Sequence, residues 1–421
     1  MRRPATPRFV IVRHLLPLLL AAVCVATAGP VPVLAQTGGV LRGRVKGELS
    51  LPAGLPTLPW SAEVEQHLDG RARYAASAEF AGAPFAATLQ LQPAKPGWWK
   101  IERASWDLNR IWTEVVQPLV PDLSDLAVTG ELRLHGEGRW HDESPEGPLQ
   151  VTWGEGTVTM AEPAVSAEGV ELAFELNNWM TGHRAGQGAL KVARATVGTL
   201  EFTDAVVALL WQPNGAVFFG PGEVNALGGK LVLGAVEWTG PAELVVRLRA
   251  VSLSLAELAR LSPSVIRRAS GTVSGELVVR WDEKAGLLPI DGRLAIDREE
   301  GVEVTLAPQP GFLTDQVPRR YELLPSWLGP IARAFAPKNP AHPMLVGIEL
   351  GQVPLRVEDL AIFFYPPDDP FQRTARIQLE GHPTDHSLVE KVSIQINLSG
   401  PWTDILRLGL DDRADIQARL E

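Results

Sequence analysis

Apolar and polar residues alternate with period two over much of this chain, and few segments carry a helical period instead. Val392, Ile394, Ile396 and Leu398 fall on one face of such a segment, and Ser393, Gln395, Asn397 and Ser399 on the other. Val170, Leu172, Phe174 and Leu176 alternate with Glu171, Ala173, Glu175 and Asn177. Leu244, Val246 and Leu248 do the same against Arg247 and Arg249, with Val245 out of pattern. Strands of this kind have one dry and one wet face, as in antiparallel sheets. Gly147-Pro148, Asn214-Gly215, Gly228-Gly229, Asp291-Gly292 and Pro310-Gly311 read as turns between them. The 39 glycines and 35 prolines are spread among the strands rather than pooled in one tract, so they punctuate a mainly β chain.

One stretch occurs twice. A gapless shift lays Gly271 on Gly130, Arg280 on Arg139, Trp281 on Trp140, Glu283 on Asp142 and Pro289 on Pro148. Ser105-Trp106-Asp107-Leu108 leads into one copy and Ser252-Leu253-Ser254-Leu255 into the other. Such reuse indicates an array of similar hairpins rather than one globule around a catalytic pocket. Helical spacing is sparse. Ser105 is placed to cap a helix to about Val120, and Ser254 to Leu261 reads as a shorter one stopped by Pro263. Pro325 to Phe335 forms a third, inside a proline-rich excursion to Pro343, and Asp404 to Leu410 or beyond a fourth. With so few helices to cover the apolar faces, two solutions stand open: a closed sandwich or barrel, or a long trough.

The amino terminus reads as an export signal. Arg2, Arg3, Arg8 and Arg13 precede the apolar run Leu15 to Val25, and Val33-Leu34-Ala35 before Gln36 suits cleavage. That run falls short of the ~20 apolar residues of a spanning helix, with an uncleaved anchor as the alternative. Cys24 is the sole cysteine and lies in this leader, so an exported chain holds no thiol, which fits the bacterial periplasm better than a disulfide-stapled domain. The chain then divides into a leader at 1–35, an N-terminal β-rich part at 36–249 and a C-terminal β-rich part at 250–421. A net charge of −10, more negative still without the leader arginines, argues against nucleic acid as a partner. It also argues against attraction to anionic lipid surfaces.

Catalytic signatures are missing. The sequence has no Gly-x-Ser-x-Gly elbow, phosphate-binding Gly-x-x-x-x-Gly-Lys loop or His-Glu-x-x-His motif. His382 and His386 flank Asp385, but Gly381 and Pro383 oppose the helix a metal site would need, so the segment reads as a solvated loop. Asp368-Asp369 and Asp411-Asp412 read as solvated turn acids. No cofactor, metal or enzymatic activity is expected. Trp98-Trp99, Trp140, Trp153, Trp238, Trp281 and Trp402 fall near strand ends, where packing under turns is the plain role and carbohydrate or lipid-headgroup contact the sharper one.

The repeated residues resemble a known family. Ala269-Ser270-Gly271-Thr272-Val273-Ser274-Gly275-Glu276-Leu277, continuing through Ile290-Asp291-Gly292-Arg293-Leu294 to Gly301-Val302-Glu303-Val304, is similar to the C-terminal part of the YdbH family. These are AsmA-like proteins of the bacterial envelope, and an older name for that region mentions dicarboxylate transport. Val392 to Gly400 followed by Asp404-Ile405-Leu406 looks like the same family's closing strand and helix. The resemblance covers Ala250 to Leu410, and more loosely Ala104 to Leu176.

It implies an elongated, twisted antiparallel sheet curved into an open apolar trough, with a few short helices. Such a trough carries phospholipid acyl chains between inner and outer membranes, and brings no catalytic residues. Val170, Leu172, Phe174, Val392, Ile394, Ile396 and Leu398 are the expected lining. Expected partners are phospholipids and inner- or outer-membrane or envelope proteins. About twenty strands at ~4.8 Å would extend on the order of 100 Å, which suits part of a bridge or a shuttle. The competing reading is an envelope structural or interaction protein whose apolar faces close into a β-sandwich core, pairing through a sheet edge.

Overall fold

The computed structural model describes the chain from Ala35 to Leu420, apart from residues 38–39, 50–57, 68–71, 81–82, 93–96, 114–116, 118–123, 142–143, 162–163, 178–184, 239–244, 262, 264, 283–285, 298–300, 316, 322–335, 385–388 and 400–413. The expected leader apart from Ala35, the expected helices at Pro325 to Phe335 and Asp404 to Leu410, and His386, Trp402 and Asp411-Asp412 lie outside the described residues.

Contacts divide the chain into two compact units. The first comprises Met1–Val197, Thr203–Gly222 and Ala235–Thr239, and the second Gly198–Phe202, Glu223–Gly234 and Gly240–Glu421. In the first lie β1 (Ala35–Thr37), β2 (Val40–Leu49), β3 (Leu58–His67), β4 (Ala72–Phe80), β5 (Ala83–Gln92), β6 (Gly97–Asp107), β7 (Leu126–His141), β8 (Ser144–Glu146), β9 (Leu149–Met160), β10 (Val165–Asn177) and β11 (Ala185–Val197). β12 (Leu200–Trp211) and β13 (Val217–Ala226) contribute to both units, and β14 (Gly229–Leu233) and β15 (Val236–Trp238) to the second and first respectively. The second unit holds β16 (Val245–Ser254), β17 (Ile266–Ala269), β18 (Thr272–Asp282), β19 (Gly286–Ile296), β20 (Val302–Leu306), β21 (Leu355–Phe364), β22 (Arg373–Pro383), β23 (Val392–Ser399) and β24 (Ala414–Leu420).

The first unit is a meander. β1 to β7 pair antiparallel each with the next, β7 pairs β8 and β9, and the ladder continues through β10 to β11. In the second, β14, β16, β18, β19, β21, β22, β23 and β24 pair antiparallel in that order, while β17 pairs β20 and β20 pairs β21. The protein is thus mostly β, as the alternation required, and its antiparallel sheet is open, which the alternation had left undecided. Three short helices accompany it among the described residues: α1 (Leu108–Ile111), α2 (Leu255–Arg260) and α3 (His342–Glu349).

The duplicated sequence is a duplicated structure. β6 ends at Asp107, whose carboxylate accepts from the Asn109 and Arg110 N–H groups and caps α1. Asp107 also lies opposite Glu131, one residue past Gly130. β16 ends at Ser254, whose hydroxyl accepts from the Glu257 N–H and caps α2, and Ser254 lies opposite Thr272, one residue past Gly271. Each strand is bulged just upstream, between Ile101 and Ala104 in one and between Ala250 and Leu253 in the other. Each copy therefore joins a bulge, a capped helical turn and a strand entered at a glycine. Both glycines have positive φ, 111° at Gly130 and 98° at Gly271, a conformation open to glycine at little cost.

Several expectations change. Ser105 does not cap a helix; it lies within β6 opposite Arg133, and the cap comes two residues later because strand pairing holds the backbone extended through Asp107. The proline-rich excursion ends in α3, which spacing did not reveal: Pro343 sits in its first turn, where a missing N–H costs nothing. Beyond the expected terminal helix the chain is strand β24, paired along its length with β23. Asp291-Gly292 is not a turn but lies within β19, at a shift of register against β18, with Gly292 at φ 150°. His382 lies in β22 rather than a loop, and Trp153 in mid-strand.

A Cβ on Gly130 would stand 2.5 Å from the Trp153 indole nitrogen and 2.8 Å from the Gly154 carbonyl oxygen, whereas one on Gly215 meets nothing within 4 Å. Gly130→Val is expected to destabilise the first unit by about 3 kcal/mol, from strained backbone and overpacking together. Gly215→Ala, strained but unobstructed, should cost about 1 kcal/mol. Urea unfolding followed by tryptophan fluorescence measures the difference.

Candidate functional site

The apolar face of the first unit can be followed strand by strand through its register. Trp106, Leu132, Trp153, Leu172 and Leu190 form one row across β6, β7, β9, β10 and β11. Ala104, Leu134, Val151, Phe174 and Gly188 form the next. The first row opens gradually: Trp106 is 1% exposed and Leu132 8%, while Trp153, Leu172 and Leu190 are only half-buried. Val192, on the same face of β11 as Leu190, is half-buried as well, as are Val207, Leu209 and Trp211 of β12. Along the first row the face is sealed at β6 and β7 and reachable from β9 onward.

Aromatic rings on that face lie over glycine. A Cβ at Gly186 or Gly188 would come within 2.5 Å or 2.7 Å of the Phe174 ring, and one at Gly156 within 2.5 Å of the Trp153 indole. The missing side chains let each ring lie along the strands, and the Trp153 indole N–H is satisfied by the Thr129 carbonyl at 3.0 Å. A bare backbone is thereby covered with carbon, the device known as aromatic rescue. The opposite side of β10 and β11 carries Glu171, Gln187 and Lys191, all exposed.

The second unit treats its apolar face differently. Val392, Ile394, Ile396 and Leu398 are 0%, 1%, 3% and 4% exposed. They share one buried cluster with Leu360 and Leu379 of the neighbouring strands, Leu255 and Ala259 of α2, Leu345 and Ile348 of α3, and Leu313. The cover is fastened by Glu349 at the end of α3. Its carboxylate accepts from the Leu313 and Thr314 N–H groups, both at 3.1 Å, and from the Thr314 hydroxyl at 2.9 Å. Burial pushes the Glu349 carboxyl up, but the Thr314 hydroxyl and the Gly311, Leu313 and Thr314 N–H groups together outweigh it, so its pKa is lowered.

Asp369 departs from its expected role as a solvated turn acid. It is buried between β21 and β22, accepts from the Phe371 and Arg373 N–H groups, and holds the Arg373 guanidinium in two hydrogen bonds of 3.0 and 2.9 Å. Those Arg373 side-chain bonds, opposed by burial and helped by the backbone donors, hold its pKa at about 2. The guanidinium also lies 4.3 Å from the Tyr365 ring centre and 4.6 Å from that of Phe371.

The expected lining residues thus occupy two settings. Val170, Leu172 and Phe174 share one face of β10, Val170 buried and the other two reachable, whereas Val392, Ile394, Ile396 and Leu398 share the covered face of β23. Leu190 and Val192 had not stood out in the sequence, because Gly186, Gly188 and Ala195 thin the apolar alternation of their strand. Among the described residues no group of His, Cys, Asp and Glu is arranged to hold a metal ion, and no helix is long and apolar enough to cross a membrane.

These features define a mainly β protein with an open antiparallel sheet and an accessible apolar face. The family described as intermembrane phospholipid transport protein YdbH matches residues 26–312, and the chain belongs to this YdbH-like family. The family is one of lipid transport proteins of the envelope rather than of enzymes. The match ends before β23, so the resemblance noted at Val392 to Leu406 falls outside it. No curated protein and no solved structure matches the chain.

Two outcomes are expected from this geometry. Ile394→Asp, placing an unpaired charge in a sealed core, should destabilise the second unit by about 4 kcal/mol. Leu172→Asp, on the half-buried row, should cost the first unit about 1 kcal/mol, and denaturant unfolding separates the two. Acid provides the second test. Asp369 is depressed from 3.8 to about 2, so its stabilising contribution is complete above pH 4 and is lost as pH falls towards 2. Asp369→Asn should lower the melting temperature at pH 7 and flatten the decline between pH 4 and pH 2.

Proposed function

We propose that this protein binds phospholipid acyl chains on the reachable apolar face of its first unit and carries them between the inner and outer membranes. The observation that carries this reading is the row Trp153, Leu172 and Leu190, half-buried and continued on the same face of β11 by Val192, with no helix laid over it among the described residues. Family membership supplies the substrate class and the envelope setting.

The energetics suit a carrier. Removing an acyl chain from water gains ~0.8 kcal/mol per methylene, so fourteen methylenes are worth on the order of 11 kcal/mol. That holds a lipid out of water without any one residue dominating. Carbon spread evenly by Phe174 and Trp153 over glycine offers few deep wells, which lets a chain slide. The export signal read at 1–35 supports the periplasm as the setting of this activity, with membrane or envelope proteins as partners at either end of the route. The sealed core around Val392 to Leu398 favours a scaffolding role for the second unit.

The test is to purify the full chain without detergent, extract it with organic solvent and quantify phospholipid by mass spectrometry. Wild type is expected to carry phospholipid well above a control periplasmic protein. Leu190→Glu should lower that content at least fivefold while the protein stays folded by circular dichroism. A folded, lipid-free wild type would contradict the reading.

A further inference from the structure

β17 is a four-residue strand whose ladder with β20 is irregular: Ile266 lies opposite Leu306 and Arg268 opposite Thr305, leaving Arg267 as an extra residue. In a bulge of this kind two residues of one strand face a single partner residue, and bulges at sheet edges commonly re-aim a side chain. Here the consequence is direct. Arg267 and Arg268, which regular alternation would send to opposite faces, both line one cavity of about 490 Å³ in the second unit. Both are exposed, and neither side chain has a hydrogen bond or ion pair among the described residues.

The rest of the wall joins polar residues to Ala269, Gly351 and Pro354. Ser270, Glu303, Thr305 and Gln352 line the same cavity. The Ser270 backbone N–H donates to the Glu303 carbonyl at 2.9 Å, and the Glu303 N–H donates to the Ser270 hydroxyl at 3.3 Å, which fixes that corner through the backbone. The Glu303 carboxylate is exposed and forms no ion pair among the described residues. Two arginines and a glutamate, all exposed and none in an ion pair among the described residues, therefore line one space.

We propose that this cavity is a headgroup site for a phosphate ester carrying a primary ammonium, the phosphoethanolamine group of a zwitterionic phospholipid. Paired guanidinium forks match phosphate oxygens, as bidentate geometry favours. Glu303 takes the ammonium, and Thr305 and Gln352 offer further hydrogen bonds. The carboxylate sets the specificity, since a purely anionic ligand such as inorganic phosphate would meet it as a repelling charge. The site rests on the phospholipid reading above for its biological source, but its chemistry can be tested without an acyl chain.

The experiment is ligand-observed NMR titration of the full chain with phosphoethanolamine, glycerophosphoethanolamine and inorganic phosphate. Both ethanolamine compounds are expected to bind at least tenfold more tightly than inorganic phosphate. Arg267→Gln/Arg268→Gln should weaken them tenfold or more, and Glu303→Gln should erase the preference over phosphate. These positions are exposed, so circular dichroism and melting temperature should stay near wild type. Unchanged affinity in the double arginine variant would overturn the site, and equal binding of inorganic phosphate would make it a free-phosphate site instead. In extracted lipid, Glu303→Gln should lower the share of phosphatidylethanolamine relative to phosphatidylglycerol with total phospholipid unchanged. An unaltered share with normal total content defeats this inference alone, whereas absent lipid with intact headgroup binding defeats the transport reading alone.

Discussion

A β-strand has two faces, and a sheet that buries only one of them must find something apolar to set against it. Most of this protein follows from how that requirement is met. In the second unit it is met from within: α2, α3 and the Leu313 turn close over β23 and its neighbours, and Glu349 ties the closing segments together. In the first unit it is met fully only at β6 and β7, and from β9 to β12 the same type of side chain remains half in contact with solvent. A carrier needs that incompleteness, because a face that satisfied itself would have nothing left to offer a lipid.

One module appears in both units: a bulge, a capped turn of helix and a strand entered at a glycine. Its recurrence with matched caps, Asp107 and Ser254, and matched glycines, Gly130 and Gly271, fits growth of such a chain by duplication of hairpins. The module fixes where a strand begins and leaves open whether its apolar face is covered. Two copies of one device can thus serve a reachable surface in one unit and a sealed core in the other.

Much of this was legible in the sequence, for definite reasons. Period-two alternation is a local property of strands, so Val170 to Leu176 and Val392 to Leu398 were identified with the right faces, and the Gly130 and Gly271 echo anticipated a structural repeat. Whether a face is covered was not legible, because that depends on residues far away in sequence. Ile394 and Leu172 look alike in their own strands, and differ because α3 and Leu313 reach the first. The helix that does the covering was hidden by Pro343, which reads as a breaker unless its place in a first turn is known. Asp369 looked like a solvated acid, since its partner Arg373 is brought to it only by the hairpin between β21 and β22. The paired arginines at Arg267 and Arg268 carried no signal at all, because only a bulge puts neighbours in a strand on the same side.

The most direct test of the central claim is photocrosslinking in cells labelled with radioactive phosphate, with a benzophenone amino acid placed at single positions along β11. The account predicts phospholipid adducts from Leu190 and Val192, on the reachable apolar face, and none from Gln187 or Lys191 on the opposite side. Adducts of equal yield from all four positions, or from none of them, would contradict it.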